Sequence, residues 1–164
     1  MSINSEYINL HQNLTNIEFD FSFNNLVDNL PKNITNIIFG HSFNQLVDNL
    51  PPNLTHLTFK GYFNKLVDNL PQNLTHLTFG DNFNKPVLNL PQNLEKITFG
   101  YQFNQLVDNL PLNLIELKLG MCFLRSINNL PINLKKITFD YENQMNLIKK
   151  IPYDCIIQYK ITEV

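Results

Sequence analysis

One residue type returns every 20 positions along most of this chain, without slippage. Asn13, Asn33, Asn53, Asn73, Asn93, Asn113 and Asn133 share one column. Leu10, Leu30, Leu50, Leu70, Leu90, Leu110 and Leu130 share a second, and Pro31, Pro51, Pro71, Pro91, Pro111 and Pro131 a third. A short fixed period specifies one small unit stacked in a row, each copy touching only its neighbours, rather than a globule around one centre. The chain has 164 residues, 43% of them hydrophobic, which is enough apolar material for a continuous core.

With residue 61 as position 1, the fullest copy runs from Gly61 to Gly80, and six clear copies fill residues 21–140. Residues 1–20 read as a degraded seventh copy that keeps Asn4, Asn9, Leu10, Asn13, Leu14, Ile17 and Phe19. Residues 141–164 read as a worn eighth copy or a C-terminal cap. Ile157 and Tyr159 fall 20 residues after Ile137 and Phe139, while Ile151-Pro152 comes one residue late, which predicts an altered connection before the strand. The expectation is a single solenoid domain over 1–164.

Within the unit, Leu77 and Phe79 alternate with His76 and Thr78, the period-2 signature of a short strand. Pro71 removes an amide donor and pushes Leu70 toward extended geometry. The return path is therefore expected to be extended or turn-like, with at most one helical turn around 64–68. Identical strands one coil apart lie parallel, about 4.8 Å from each other. The predicted fold is a repeat solenoid, mainly β, of seven or eight coils with a parallel sheet on one face. Phe63, Leu66, Leu70, Leu74, Leu77 and Phe79 are the predicted inward residues of a coil.

Positions 4, 9 and 13 are almost always asparagine. An asparagine amide both donates and accepts, so it suits backbone groups at turns that lack a sheet partner. The column Asp28, Asp48, Asp68 and Asp108, broken by Leu88, is expected to cap turn amides, since stacked like charges are otherwise unfavourable. The Asn-x-Thr triplets at Asn13, Asn33, Asn53 and Asn73 match a glycosylation pattern but lie in a repeat column, which gives them a structural explanation.

The strand segment Leu74-x-x-Leu77-x-Phe79 resembles the signature of leucine-rich repeats, and the preceding Leu70-Pro71 resembles their shortest class. A closer resemblance is to the FNIP repeat. Its Phe-Asn pair stands here as Phe23-Asn24, Phe43-Asn44, Phe63-Asn64, Phe83-Asn84 and Phe103-Asn104, each followed by Leu-Pro. The resemblance covers at least residues 21–140. Departures are Leu124 in place of the asparagine, Lys85-Pro86-Val87-Leu88 in place of the usual Leu-Val-Asp, and Leu119 in place of a strand phenylalanine. The resemblance implies a curved, right-handed, leucine-rich-repeat-like coil used for protein recognition. The family is known mainly from social amoebae and from giant viruses that infect amoebae. Some members carry an F-box and look like substrate receptors of ubiquitin ligases. The repeat frame begins too early here to leave room for one, so a ligase role would need another docking mode.

The outward strand positions are the candidate partner-binding residues: Asn16 and Glu18, Asn36 and Ile38, His56 and Thr58, His76 and Thr78, Lys96 and Thr98, Glu116 and Lys118, Lys136 and Thr138. They vary while the inward positions hardly do, so packing leaves them free for recognition. His56 and His76 fall on adjacent strands, yet a metal site wants three or four ligands and no third is in register. No nucleophile–base constellation, phosphate-cradling loop or basic aromatic patch is present, so catalysis, a cofactor and nucleic-acid binding are not expected. The formal net charge of -2 agrees. Two cysteines are too few for a disulfide framework, and with no signal-like start or spanning apolar run the expected location is intracellular, in the cytoplasm, away from membranes. The leading functional expectation is a protein–protein interaction module. The alternative is a structural or self-associating solenoid that pairs through its last strand, 156–161.

Overall fold

A computed structural model of the chain describes residues 2–3 and 13–159. The strands are β1 (Ser2–Ile3), β2 (Asn16–Phe19), β3 (Asn36–Phe39), β4 (His56–Phe59), β5 (His76–Thr78), β6 (Lys96–Thr98), β7 (Glu116–Leu119), β8 (Lys136–Phe139) and β9 (Ile156–Tyr159). Among the described residues they form one nine-stranded sheet in sequence order, every pair parallel. From β2 to β9 each residue sits opposite the one 20 positions on, as in His56 opposite His76 and Phe139 opposite Tyr159. Ser2 pairs instead with Glu18, so β1 is a strand that the period does not place. Asn4, Asn9 and Leu10 lie outside the described residues.

Each coil turns the side chains at positions 3, 7, 10, 14, 17 and 19 inward. Phenylalanine dominates at positions 3 and 19, and its rings stack along the solenoid in two columns. The strand-side rings, Phe19 to Phe99, are 5.1, 5.4, 5.8 and 5.6 Å apart. The return-side rings, Phe23 to Phe123, are 6.0 to 6.2 Å apart. The columns also touch each other, as in Phe59–Phe63 at 3.7 Å and Phe79–Phe83 at 3.8 Å. Strand backbones lie about 4.8 Å apart. The ring centroids are thus set wider apart than the strands, and widest in the return-side column.

The expected inward leucine at position 6 is a correction. Leu66 is 53% exposed, and its neighbour Val67 is buried in its place at 2%. The same exchange recurs at Leu26/Val27, Leu46/Val47 and Leu106/Val107. The cause is the path of the backbone. The asparagine at position 4 pins its coil to the next one. A bend at Lys65 and a turn at Asp68–Asn69 follow, with no helical turn between them. That path directs position 7 to the interior.

The asparagines act as ladders along the stack. The amides of Asn64, Asn84 and Asn104 donate to the Oδ1 of Asn44, Asn64 and Asn84 at 3.0, 3.0 and 2.9 Å. At position 13, Asn73, Asn93 and Asn113 donate their Nδ2 to the carbonyls of Pro52, Gln72 and Gln92 at 2.9, 2.9 and 3.0 Å. The glycosylation-like asparagines Asn53 and Asn73 are thus committed to neighbouring coils. The aspartates meet the expectation in part. Asp108 accepts the backbone amide of Asn128 at 3.2 Å, whereas Asp28 and Asp48 accept from the side chains of Asn49 and Asn69, each at 3.1 Å, all in the following coil.

The last segment combines a cap with a strand. A 3-10 helix, Glu142–Leu147, replaces the return path, and β9 then rejoins the sheet in register. Gln144, 3% exposed, is its keystone. Its Nε2 donates to the carbonyls of Gly120 and Phe123 at 3.0 and 2.9 Å, and its Oε1 accepts the Tyr141 amide at 3.0 Å. Both cysteines are free and half-buried.

Three substitutions measure this account by denaturant unfolding. Phe63→Ala is expected to cost about 3–5 kcal/mol through the cavity it leaves. Leu66→Ala stays within about 0.5 kcal/mol of the parent, as a surface change. Gln144→Leu costs about 1–3 kcal/mol, because it strands the Phe123 carbonyl and the Tyr141 amide and removes one of the two bonds to the Gly120 carbonyl.

Candidate interaction face

The pairing register brings all the predicted partner-binding positions onto the outward face of the sheet. One row holds Asn16, Asn36, His56, His76, Lys96, Glu116 and Lys136; the next holds Glu18, Ile38, Thr58, Thr78, Thr98, Lys118 and Thr138. Every one of these side chains is half-buried or exposed, against the fully buried residues between them. Strand geometry alone explains the split, since successive side chains point to opposite faces. Ile156 and Gln158 continue the rows on β9. Lys160 and Ile161, part of the candidate self-pairing strand, lie outside the described residues.

Charge is distributed unevenly over this face. Toward the N-terminal end, Glu18 pairs with Lys60 at 2.8 Å, and that hydrogen bond and charge hold its carboxyl below the usual range. Toward the C-terminal end, Lys96 pairs with Glu116 at 2.9 Å. Lys118 and Lys136 form no ion pair among the described residues. A shallow depression of about 290 Å³ opens over β5–β8, with Lys96, Glu116, Lys118 and Lys136 on its walls and Thr98 and Thr138 between them. Lys60 was not among the candidate positions. Its signal was available, because it interrupts the glycines Gly40, Gly80, Gly100 and Gly120 in a column that Asp20 and Asp140 bound.

The two histidines at the centre of the face stack, with ring centroids 4.3 Å apart and planes 13° from parallel. The Thr55 hydroxyl donates to the Thr35 carbonyl at 3.0 Å, and the Thr75 hydroxyl to that of Thr55 at 3.2 Å. Each hydroxyl also lies 2.9 Å from the Nδ1 of the following histidine. A hydroxyl has one hydrogen to give, so when it goes to the carbonyl the bond to Nδ1 is donated by the ring. Among the described residues no group of three or more histidine, cysteine or acidic side chains is placed to hold a metal. Burial, then the neighbouring His56 and Lys96, push the His76 pKa below the ordinary imidazole value.

With this geometry established, the comparisons with known proteins decide the family. The FNIP Repeat family matches residues 21–61, 64–102 and 87–122. The chain belongs to the FNIP repeat family. Among solved structures, this FNIP protein is similar to CroV588, a circular leucine-rich-repeat protein of a giant virus, at 36% identity and a TM-score of 0.76. The likeness covers 91% of this chain but 24% of that one, so the FNIP chain spans about a quarter of its structural relative. A search of curated proteins finds no match. The leucine-rich-repeat-like solenoid expected from the 20-residue period is thus shown for this FNIP protein.

The lowered His76 pKa carries a pH dependence. A histidine with a depressed folded pKa contributes stability that is complete above its unfolded pKa and is lost as pH falls through the folded one. Nuclear magnetic resonance titration should place His76 below free histidine. Thermal melts should show the parent losing more stability than His76→Gln between about pH 7 and pH 5.

Proposed function

We propose that this FNIP solenoid is a protein-recognition module that takes an acidic, extended segment of its partner along the outward face of β5–β8. The observation behind the reading is that Lys118 and Lys136, which form no ion pair among the described residues, stand beside the Lys96–Glu116 ion pair and around one shallow depression. A partner carboxylate placed there gains charge-assisted hydrogen bonds without displacing an existing pair. The side chains on this face protrude from a rigid, hydrogen-bonded sheet, so little ordering is needed on binding. Opposite charge on the partner also speeds encounter and fixes its orientation. The repeat fold is commonly an interaction scaffold, and the reading assigns it no catalytic step.

The test is fluorescence polarisation with a panel of labelled acidic, neutral and basic peptides. Acidic peptides should bind best and weaken with added salt, whose screening length is about 8 Å at physiological strength. Triple reversal of Lys96, Lys118 and Lys136 to glutamate should abolish acidic-peptide binding; it also breaks the Lys96–Glu116 pair and sets like charges on adjacent strands, so some fall in the melting temperature is expected and retained folding is checked by circular dichroism. Equal binding by the parent and the triple variant would refute the reading.

A further inference from the structure

We infer that the outer surface of the return path is a self-association face, on which a second copy of this chain packs side by side and in parallel. Position 6, which the backbone turns outward, holds Leu26, Leu46, Leu66, Pro86 and Leu106 in successive coils. The four leucines are 60%, 54%, 53% and 63% exposed. In the coil where proline stands in this column, Leu88 replaces the usual aspartate and is 65% exposed. Scattered exposed leucines are ordinary, but an unbroken apolar ridge on a protein surface marks a contact site.

The spacing of the ridge favours a copy of itself. The buried phenylalanines of the same path recur every 6.0 to 6.2 Å. The ridge outside them also recurs once per coil, so the leucines of a second copy stay in step along its whole length. A helix, with a pitch of about 5.4 Å, falls progressively out of step.

Charge sets the orientation. Position 5, just before the ridge, holds Lys65, Lys85 and Arg125; position 8, just after it, holds Asp28, Asp48, Asp68 and Asp108. None of these forms an ion pair among the described residues. The ridge is thus flanked by a basic column and an acidic one. A two-fold axis parallel to the ridge places the basic column of each copy against the acidic column of the other. Lys65 then stands opposite Asp68 of the second copy, and Lys85 one coil from it. Long side chains cover such a distance, since Lys60 already crosses two coils to Glu18. A two-fold axis across the ridge packs the copies antiparallel and sets like columns against each other. The parallel contact is self-complementary and closes at two copies, and its unlike charges suppress the wrong pairing.

The experiment is sedimentation equilibrium of the full chain over a concentration series, with circular dichroism to check the folding of each variant. A monomer–dimer equilibrium is expected, with its dissociation constant raised about tenfold or more by Leu46→Asn with Leu66→Asn, both surface changes. Lys65→Glu with Lys85→Glu makes both columns acidic; Asp48→Lys with Asp68→Lys makes both basic. Each pair should weaken the dimer alone, and the two variants should associate one to one when mixed. Combining all four changes exchanges the columns and should restore the dimer. If the aspartate pair does not fold, since Asp48 accepts a bond from Asn69, the lysine pair carries the charge test. A parent that stays monomeric at millimolar concentration overturns the inference and leaves the ridge to the apolar face of another protein. A dimer that survives the leucine changes, as one paired through β9 would, also overturns it. So does a dimer that a folded lysine pair leaves unweakened. The sheet face is untouched and no peptide is used, so the outcome is separate from that of the acidic-segment reading.

Discussion

Like-on-like stacking at a 20-residue interval is the interaction on which the rest of this structure depends. The two phenylalanine columns interlock, so each ring meets both its own kind in neighbouring coils and a ring of the other column. Van der Waals contact along such a column is continuous and forgives no change of register. The asparagine ladders add the polar counterpart, since each bond to a neighbouring coil closes only when a backbone group returns at the same place, as the Leu124 amide does on Asn104. No single coil buries enough apolar surface to offset the entropy of ordering it, so stability belongs to the stack.

Exceptions to the repeat mark where the stack must do something else. Lys60 stands in the glycine column and reaches across two coils to Glu18. Gln144 enters the interior and bonds the Gly120 and Phe123 carbonyls of the preceding coil. Asp140 ends the glycine run and brings a buried carboxylate oxygen to the end of β8. These residues follow one logic: a column dictated by packing leaves little room for chemistry, and chemistry enters where the column breaks.

Most of the fold was legible in the sequence. The strand phase, the parallel register and the inward roles of Phe63, Leu70, Leu74, Leu77 and Phe79 follow from the alternation and the period. The exchange of Leu66 for Val67 was not legible. Both residues are apolar and adjacent, and nothing in their spacing says which one the pinned asparagine turns inward. The outward rows were legible as positions, because alternation on a strand leaves no other choice. The pairing of Lys96 with Glu116, and the freedom of Lys118 and Lys136, were not, since long side chains choose partners only once the strands are set at their spacing.

The sequence by itself determined a single-period stack of coils, its family and the two faces of its sheet, because those depend on which residue types recur and how often. Only the tertiary structure decided the direction of the aspartate bonds and the cap built around Gln144. It alone turned the leucines of position 6 out into a ridge. These depend on the path of the backbone and the distances between coils, which the order of recurring residue types does not contain.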